Sequence, residues 1–449
     1  METEKLERLI REYDALVPPT YHANQFPRGF ELRPADWALT PDVIDRKPVI
    51  ATIDGEQRVI RPISELDLEF LSNHVIELAQ KGMIDLQTNY QCGLNCAGCF
   101  SQEGIYSDVN NLMRWQDILD VVRDAQQIGL AGVKFLGPGE LLQNPDLFDI
   151  LDALEEIHMP ISIFTKGVEL GDDDAATMIF GNQGIRSAKD LVQRVYEYDC
   201  VRILLGFNSF DPERQDRMVG SYNATANYEV VDGVFTRRGV MHYTAKRNQA
   251  LINLTRAGFN DPARGQHLSL IAAPVGLDQG AEVAAMYRWA AERNMPLVIA
   301  PTMESGPRAL SLLRYNSKLD PGHELLIDLM VGVYSTAVEN GILSMEQIRH
   351  EGISAYPGSS PCNQVANGLY LRLNGRIQIC PGRSDEKVIF GNVHHTNIAK
   401  LWVKSANYGR GATSNNWCPA KENGMPQAIQ EIVMERLEEK YGGETYSRN

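Results

Sequence analysis

The segment QCGLNCAGCF, residues 91–100, places Cys92, Cys96 and Cys99 in the spacing C-x3-C-x2-C. The chain has seven cysteines in all, so this loop concentrates them. Three readings are open: buried core thiols, a disulfide with a spare thiol, or a metal site. Three thiolates from one loop can ligate three irons of a cubane [4Fe–4S] cluster and leave the fourth iron open. A structural zinc site would want four ligands, usually with C-x2-C pairs. A second set of cysteines, Cys362, Cys380 and Cys418, lies toward the C-terminus. Cys200, in the apolar run CVRILLGF, reads as a core residue.

The elements that must position these residues are legible from periodicity. GMIDLQTNY reads as a strand that ends directly at the cysteine loop. WQDILDVVRDAQQIG, NPDLFDILDALEEI (capped by Asn144), SAKDLVQRVYEY, AKRNQALINLTRAGF and AEVAAMYRWAAERN have helical spacing. GVKFLGPGE, PISIFTKG, CVRILLGFNSF, HLSLIAAPV and PLVIAP are strand candidates between them. About six β-α units imply a parallel sheet with crossover helices, and six suit an open, partial (β/α)6 barrel. Ligands on such sheets bind at the carboxyl ends of the strands. Near the C-terminus, GLYLRLNGRIQIC reads as a hairpin with an Asn-Gly turn. Cys362 precedes that hairpin and Cys380 ends it.

The domain reading is an N-terminal helix-and-strand region at 1–80, including the strand pair PVIATIDGEQRVI and a helix near DLEFLSNHVIELAQKG. A barrel core at 81–306, a helical linker at 307–356 and a small α+β unit at 357–449 follow. The 58 acidic residues outnumber the 43 basic ones, for a net charge of −15. With no basic stripe, nucleic-acid binding through phosphates is disfavoured. No apolar run approaches the ~20 residues of a membrane span. The charged N-terminus lacks the apolar segment of a secretory signal, so the expected location is cytoplasmic.

The C-x3-C-x2-C loop at the end of the first strand of a (β/α)6 pattern resembles the radical S-adenosylmethionine (radical SAM) superfamily. The resemblance implies that the open iron of a [4Fe–4S] cluster on Cys92, Cys96 and Cys99 binds SAM. Reductive cleavage of SAM would then yield a 5′-deoxyadenosyl radical that abstracts a substrate hydrogen. An electron donor such as flavodoxin or ferredoxin is implied as a partner. LGPGE resembles the family's Gly-Gly-Glu motif, which implies that Gly137, Gly139 and Glu140 hold the methionine amino group. The bland reading of that stretch is a strand-to-helix turn. At the next two strand ends, Thr165 with Lys166, and Asn208 with Ser209, would face SAM; the competing reading is helix capping. The aromatic residue that many members carry before the third cysteine is replaced here by Gly98, and Phe100 follows that cysteine as the candidate adenine contact.

Cys362, Gly375 and Cys380 resemble the opening of the SPASM/twitch auxiliary-cluster domains. With Cys418 they imply a shortened domain holding an auxiliary [4Fe–4S] cluster, with His394 or His395 as a further candidate ligand. The expected function is hydrogen abstraction from a small polar metabolite of sugar, aminocyclitol or nucleoside type, leading to dehydrogenation, epimerisation or dehydration. The alternatives are a peptide-modifying enzyme, with 1–80 binding a leader peptide, and a non-catalytic zinc or iron–sulfur binding protein.

Overall fold

The computed structural model describes residues 3–21, 47–86, 94, 96, 109–137, 139–220, 228–231, 234–237, 242–265, 267–273, 275–301, 321–359, 367–381, 389–410 and 427–442. Helix α1 (Thr3–Leu16) buries Leu9 and Tyr13, spaced one turn apart on one face. The expected strand pair forms as β1 (Val49–Ile53) and β2 (Glu56–Ile60). Asp54 and Gly55 make its turn, both at positive φ, as a two-residue hairpin loop of this type requires.

The central sheet begins at β3 (Glu65–Leu68) and continues with β4 (Gly132–Phe135), β5 (Ile161–Thr165) and β6 (Val201–Gly206). A separate hairpin, β7 (Tyr228–Val231) and β8 (Val234–Arg237), interrupts the series before β9 (Leu268–Ala272) and β10 (Leu297–Ile299). β3, β4, β5, β6, β9 and β10 lie side by side in chain order and all neighbours are parallel. This is the sequential order of an open (β/α)6 barrel.

The crossovers are helical, as parallel pairing demands. α2 (Asn73–Gln80) and α3 (Trp115–Gln127) join β3 to β4, and α4 (Leu147–Glu156) joins β4 to β5. α5 (Asp173–Phe180) and α6 (Ala188–Tyr196) lead to β6. α7 (Pro212–Met218) and α8 (Tyr243–Ala257) lead to β9, and α9 (Gly280–Ala291) to β10. α10 (Pro321–Glu339) and α11 (Met345–Glu351) follow.

β11 (Gly368–Leu371), β12 (Arg376–Gln378) and β13 (Ile389–Asn392) extend the same sheet beyond β3, with β11 parallel to β3 and the other two antiparallel. The expected Asn374-Gly375 turn joins β11 to β12, with Gly375 at φ 77°. α12 (Ile398–Lys404), α13 (Ala406–Arg410) and α14 (Gln427–Tyr441) end the fold. No described helix is long and apolar enough to cross a membrane.

Two sequence expectations need correction. Residues 82–86 are not strand, and the position beside β4 belongs to Glu65–Leu68. ELDL alternates acid and leucine, so Leu66 and Leu68 enter the core while Glu65 and Asp67 take the other face. The acidic residues disguised a fully buried strand. Asn144 does not cap α4: Asp146 occupies the N-cap, and Asn144 Oδ1 accepts the Asp146 N–H at 2.9 Å.

The two faces of the sheet differ sharply. One row runs Leu371, Leu68, Phe135, Ile163, Ile203 and Leu268 across successive strands, and all six belong to the main core. The neighbouring row, on the opposite face, runs Gln378, Tyr370, Asp67, Lys134, Ser162 and Arg202. Lys134 is buried against Glu65, with Asp67 Oδ1 at 4.0 Å. Pairing of this kind is what lets an ammonium exist so deep in a fold.

Candidate active site at the strand ends

Three adjacent strands, β4, β5 and β6, deliver polar groups at their carboxyl ends. After β4 the chain turns through Gly137 (φ 127°) and Gly139 (φ 77°). Both lie where a side chain would be strained, so glycine is required by the turn itself. Glu140 follows, buried, and its Oε2 accepts the Lys166 backbone N–H at 3.0 Å. The carboxylate thus links the turn after β4 to the end of β5.

Thr165 closes β5 and is buried; its Oγ1 accepts the Gly167 N–H at 2.7 Å. The Lys166 side chain lies across Gly206, the last residue of β6. A Cβ there would stand 2.8 Å from Lys166 Cδ and 3.0 Å from Nζ. Gly206 therefore leaves the space that the lysine occupies.

Cys96 is partly exposed. It packs against a small apolar group, Leu94, Val168, Val219 and Tyr243, that is distinct from the main core. Tyr243 Oη donates to the Lys166 carbonyl at 3.1 Å and to the Gly206 carbonyl at 3.5 Å. Burial pushes the Tyr243 phenol up; Arg247 opposes this, and Cys96, Glu140 and Asp216 add to it. One part-exposed thiol from the cysteine loop, the glycine turn with its carboxylate, and the Thr165–Lys166 strand end therefore share one locality. Neither Tyr243 nor Gly206 was singled out from the sequence. The strand-end register of Gly206 was a usable signal; nothing local marked Tyr243.

After β6 the hydrogen bonds turn inward. The N–H groups of Asn208 and Ser209 donate to Gln215 Oε1 at 2.7 and 3.1 Å. Ser209 Oγ donates to Glu282 Oε1 and accepts the Asp211 N–H at 3.0 Å. Arg247, fully buried, stacks 3.9 Å from the Phe207 ring centroid and donates to Tyr13 Oη at 2.6 Å. This network ties α1 to the β6 end, and the Ser209 hydroxyl is engaged within it.

In the C-terminal hairpin Cys380 is buried two residues beyond β12. His394 packs instead on the turn: a Cβ on Gly375 would lie 2.7 Å from His394 Cδ2, and His394 Nε2 stands 3.2 Å from the Asn111 carbonyl. The histidine is thus at the turn end of the hairpin, away from Cys380. Cys92, Cys99, Phe100, Cys362 and Cys418 lie outside the described residues. Cys200 is a buried core thiol, pushed up by burial and by the Glu155 carboxylate. Among the described residues no group of three or more His, Cys, Asp or Glu forms a metal cage.

The residues in place fit a thiolate-held cluster with an amino-acid-bearing cofactor beside it. Cys96 offers a soft donor at the strand ends, the glycine turn admits close approach to its backbone, and Glu140 supplies the anionic acceptor that an ammonium needs.

Residues 86–234 match the family model described as Radical SAM superfamily. No curated protein matches the chain. Among solved structures, hexahistidine-tagged anSMEcpe with bound AdoMet superposes with a TM-score of 0.50 at 12% identity, covering 85% of this chain and 97% of that one. Native anSMEcpe with bound AdoMet and Cp18Cys peptide gives 0.49 at 12% identity, over 84% and 96% of the two chains. Streptococcus suis SuiB bound to precursor peptide SuiA gives 0.42 at 14% identity, over 78% and 67%. At such identities the likeness concerns the fold alone. The matched segment opens just before the cysteine loop and runs through the glycine turn and the next two strand ends. Residues 86–234 thus carry a domain of the radical SAM superfamily, and a [4Fe–4S] cluster and S-adenosylmethionine are the cofactors that this domain implies.

Proposed function

We propose that this radical SAM enzyme abstracts hydrogen from a peptide substrate. Cys92, Cys96 and Cys99 would hold the cluster, and the Gly137–Gly139 turn and Glu140 would hold the methionine end of SAM. Thr165, Asn208, Ser209 and Phe100 would line the rest of the cofactor. When bound, cluster and SAM supply a carbon-centred radical strong enough to take hydrogen from an unactivated C–H bond. The chain's own residues bind, orient and shield. Residues 81–306, together with β3 at Glu65–Leu68, would form the catalytic core. Cys362, Cys380 and Cys418, within 357–449, would hold an auxiliary [4Fe–4S] cluster of SPASM/twitch type that accepts an electron or anchors substrate. A flavodoxin or ferredoxin would deliver the reducing electron.

The observation that favours a peptide is that anSMEcpe, which shares this fold, binds the Cp18Cys peptide beside AdoMet. A second reading is a small polar metabolite of sugar, aminocyclitol or nucleoside type. It is favoured by the polar row Gln378, Tyr370, Asp67, Lys134, Ser162 and Arg202 on the face of the sheet opposite the main core. Dehydrogenation, epimerisation and dehydration are the outcomes to distinguish in either case.

The test is anaerobic incubation of the reconstituted protein with SAM, reductant and panels of peptides or polar metabolites. The expected result is 5′-deoxyadenosine whose formation depends on a peptide. Dependence on a metabolite instead would overturn the peptide assignment. Cys96→Ala should abolish 5′-deoxyadenosine altogether, and a Cys96→Ala protein that cleaves SAM at the normal rate would overturn the ligand assignment.

A further inference from the structure

We propose that Tyr243 is the positioning residue that seats Leu94 and Cys96 on the barrel, by bonding two strand ends through its hydroxyl and sharing one apolar group with Cys96. This rests on Cys96 being a cluster ligand.

Tyr243 opens α8 and is fully buried. Its hydroxyl reaches the carbonyls of Lys166 and Gly206, at 3.1 and 3.5 Å. Lys166 directly follows β5 and Gly206 ends β6, and the two strands are neighbours in the sheet. Both carbonyls lie past the last rung of the ladder or at it, where strand-to-strand bonding runs out. The phenol therefore spans the gap that the sheet leaves between the two ends.

The ring of Tyr243 belongs to the group Leu94, Val168 and Val219 against which Cys96 packs. Leu94 and Cys96 come from the cysteine loop, and Val168 and Val219 from the segments after β5 and α7. That group is separate from the main core, and among the described residues Tyr243 is its largest member.

The position of α8 is itself well fixed. Thr244 N–H and Oγ1 both donate to Asp216 Oδ1, at 2.8 and 2.7 Å. A Cβ on Gly171 would stand 1.9 Å from the Lys246 carbonyl, so helix and loop are in closest contact there. Asn253 Nδ2 donates to the Leu170 carbonyl at 2.8 Å. These contacts hold α8 in place, and Tyr243 is its first residue.

The test uses the full-length protein reconstituted anaerobically, with iron release to a chelator and the electron paramagnetic resonance spectrum of the reduced cluster as readouts. Tyr243→Phe keeps the ring and loses the brace. It should load wild-type iron yet release it about fivefold faster, roughly the effect of one lost hydrogen bond, with a changed spectrum. Tyr243→Ala, if folded by circular dichroism, should load less than half the wild-type iron. Tyr198→Phe loses a hydroxyl bond to Asp152 at 2.6 Å away from the strand ends, and should release iron at the wild-type rate. Wild-type release and spectrum in Tyr243→Phe, or full loading in folded Tyr243→Ala, would overturn the proposal. If the wild-type protein binds no cluster, the reading on which the proposal rests fails with it, so the two failures are distinguishable.

Discussion

Glu140 reaches across from the turn after β4 and accepts the Lys166 N–H at the end of β5, 3.0 Å away. One carboxylate thus joins two neighbouring strand ends, and it is the group proposed to hold a methionine ammonium. Charge-assisted hydrogen bonds contribute ~1.5–3 kcal/mol. Glu140→Ala should weaken SAM binding by roughly ten- to a hundredfold at unchanged iron content, measured by equilibrium dialysis. Glu140→Gln keeps an acceptor for Lys166 and should retain the wild-type melting temperature while losing SAM affinity. Unaltered affinity in both variants would return LGPGE to the role of a turn.

The C-terminal cysteines can be separated from the loop at 92–99 by counting iron. Replacing Cys362, Cys380 and Cys418 together should remove about one cubane, ~4 irons, and leave the core cluster in place. That variant should still split SAM slowly yet form no product. An unchanged iron count would make them plain thiols. Normal product formation despite the loss would make the auxiliary cluster structural.

Lys134 is a buried cation on the opposite face, beside Glu65 and Asp67. Lys134→Ala leaves two buried carboxylates without their ammonium. Removing one partner from a buried ion pair typically costs about 3–5 kcal/mol, and urea denaturation at neutral pH should show a loss of that order. A change below about 1 kcal/mol would mean that water reaches this face and screens the charges.

His267 precedes β9 and is buried, with Nδ1 3.0 Å from the Val201 carbonyl. Burial, then Arg202 and Arg264, hold its pKa down at about 4, against 6.5 for the free side chain. Between those values the unfolded chain binds a proton that the folded chain refuses. Stability from this group is therefore present above pH 6.5 and falls as pH drops toward 4, by at most about 3 kcal/mol. His267→Gln should flatten that part of the stability curve. Equal slopes for wild type and variant, from denaturation midpoints at pH 7 and pH 4.5, would refute the assignment.

Much of the fold was legible in the sequence because parallel strands and amphipathic helices leave periodic traces. GVKF, ISIFT, VRILLG and LSLIA are apolar enough to be read as strands, and they became β4, β5, β6 and β9. The C-x3-C-x2-C spacing is a local property, so a candidate cluster site could be read from it without a structure; the Asn374-Gly375 turn was equally legible and formed. Only the tertiary structure decided the rest. ELDL took the strand position beside β4 because its acids meet Lys134 from another strand, a compensation no local pattern reveals. β11 joined β3 although some 300 residues separate Leu371 from Leu68, so the C-terminal hairpin extends the barrel sheet. Tyr243 lies far from Cys96 in sequence, and α8 carries it there. Periodicity reports which face of an element is buried; it does not report what the buried face meets, because that depends on contacts between residues distant in the chain.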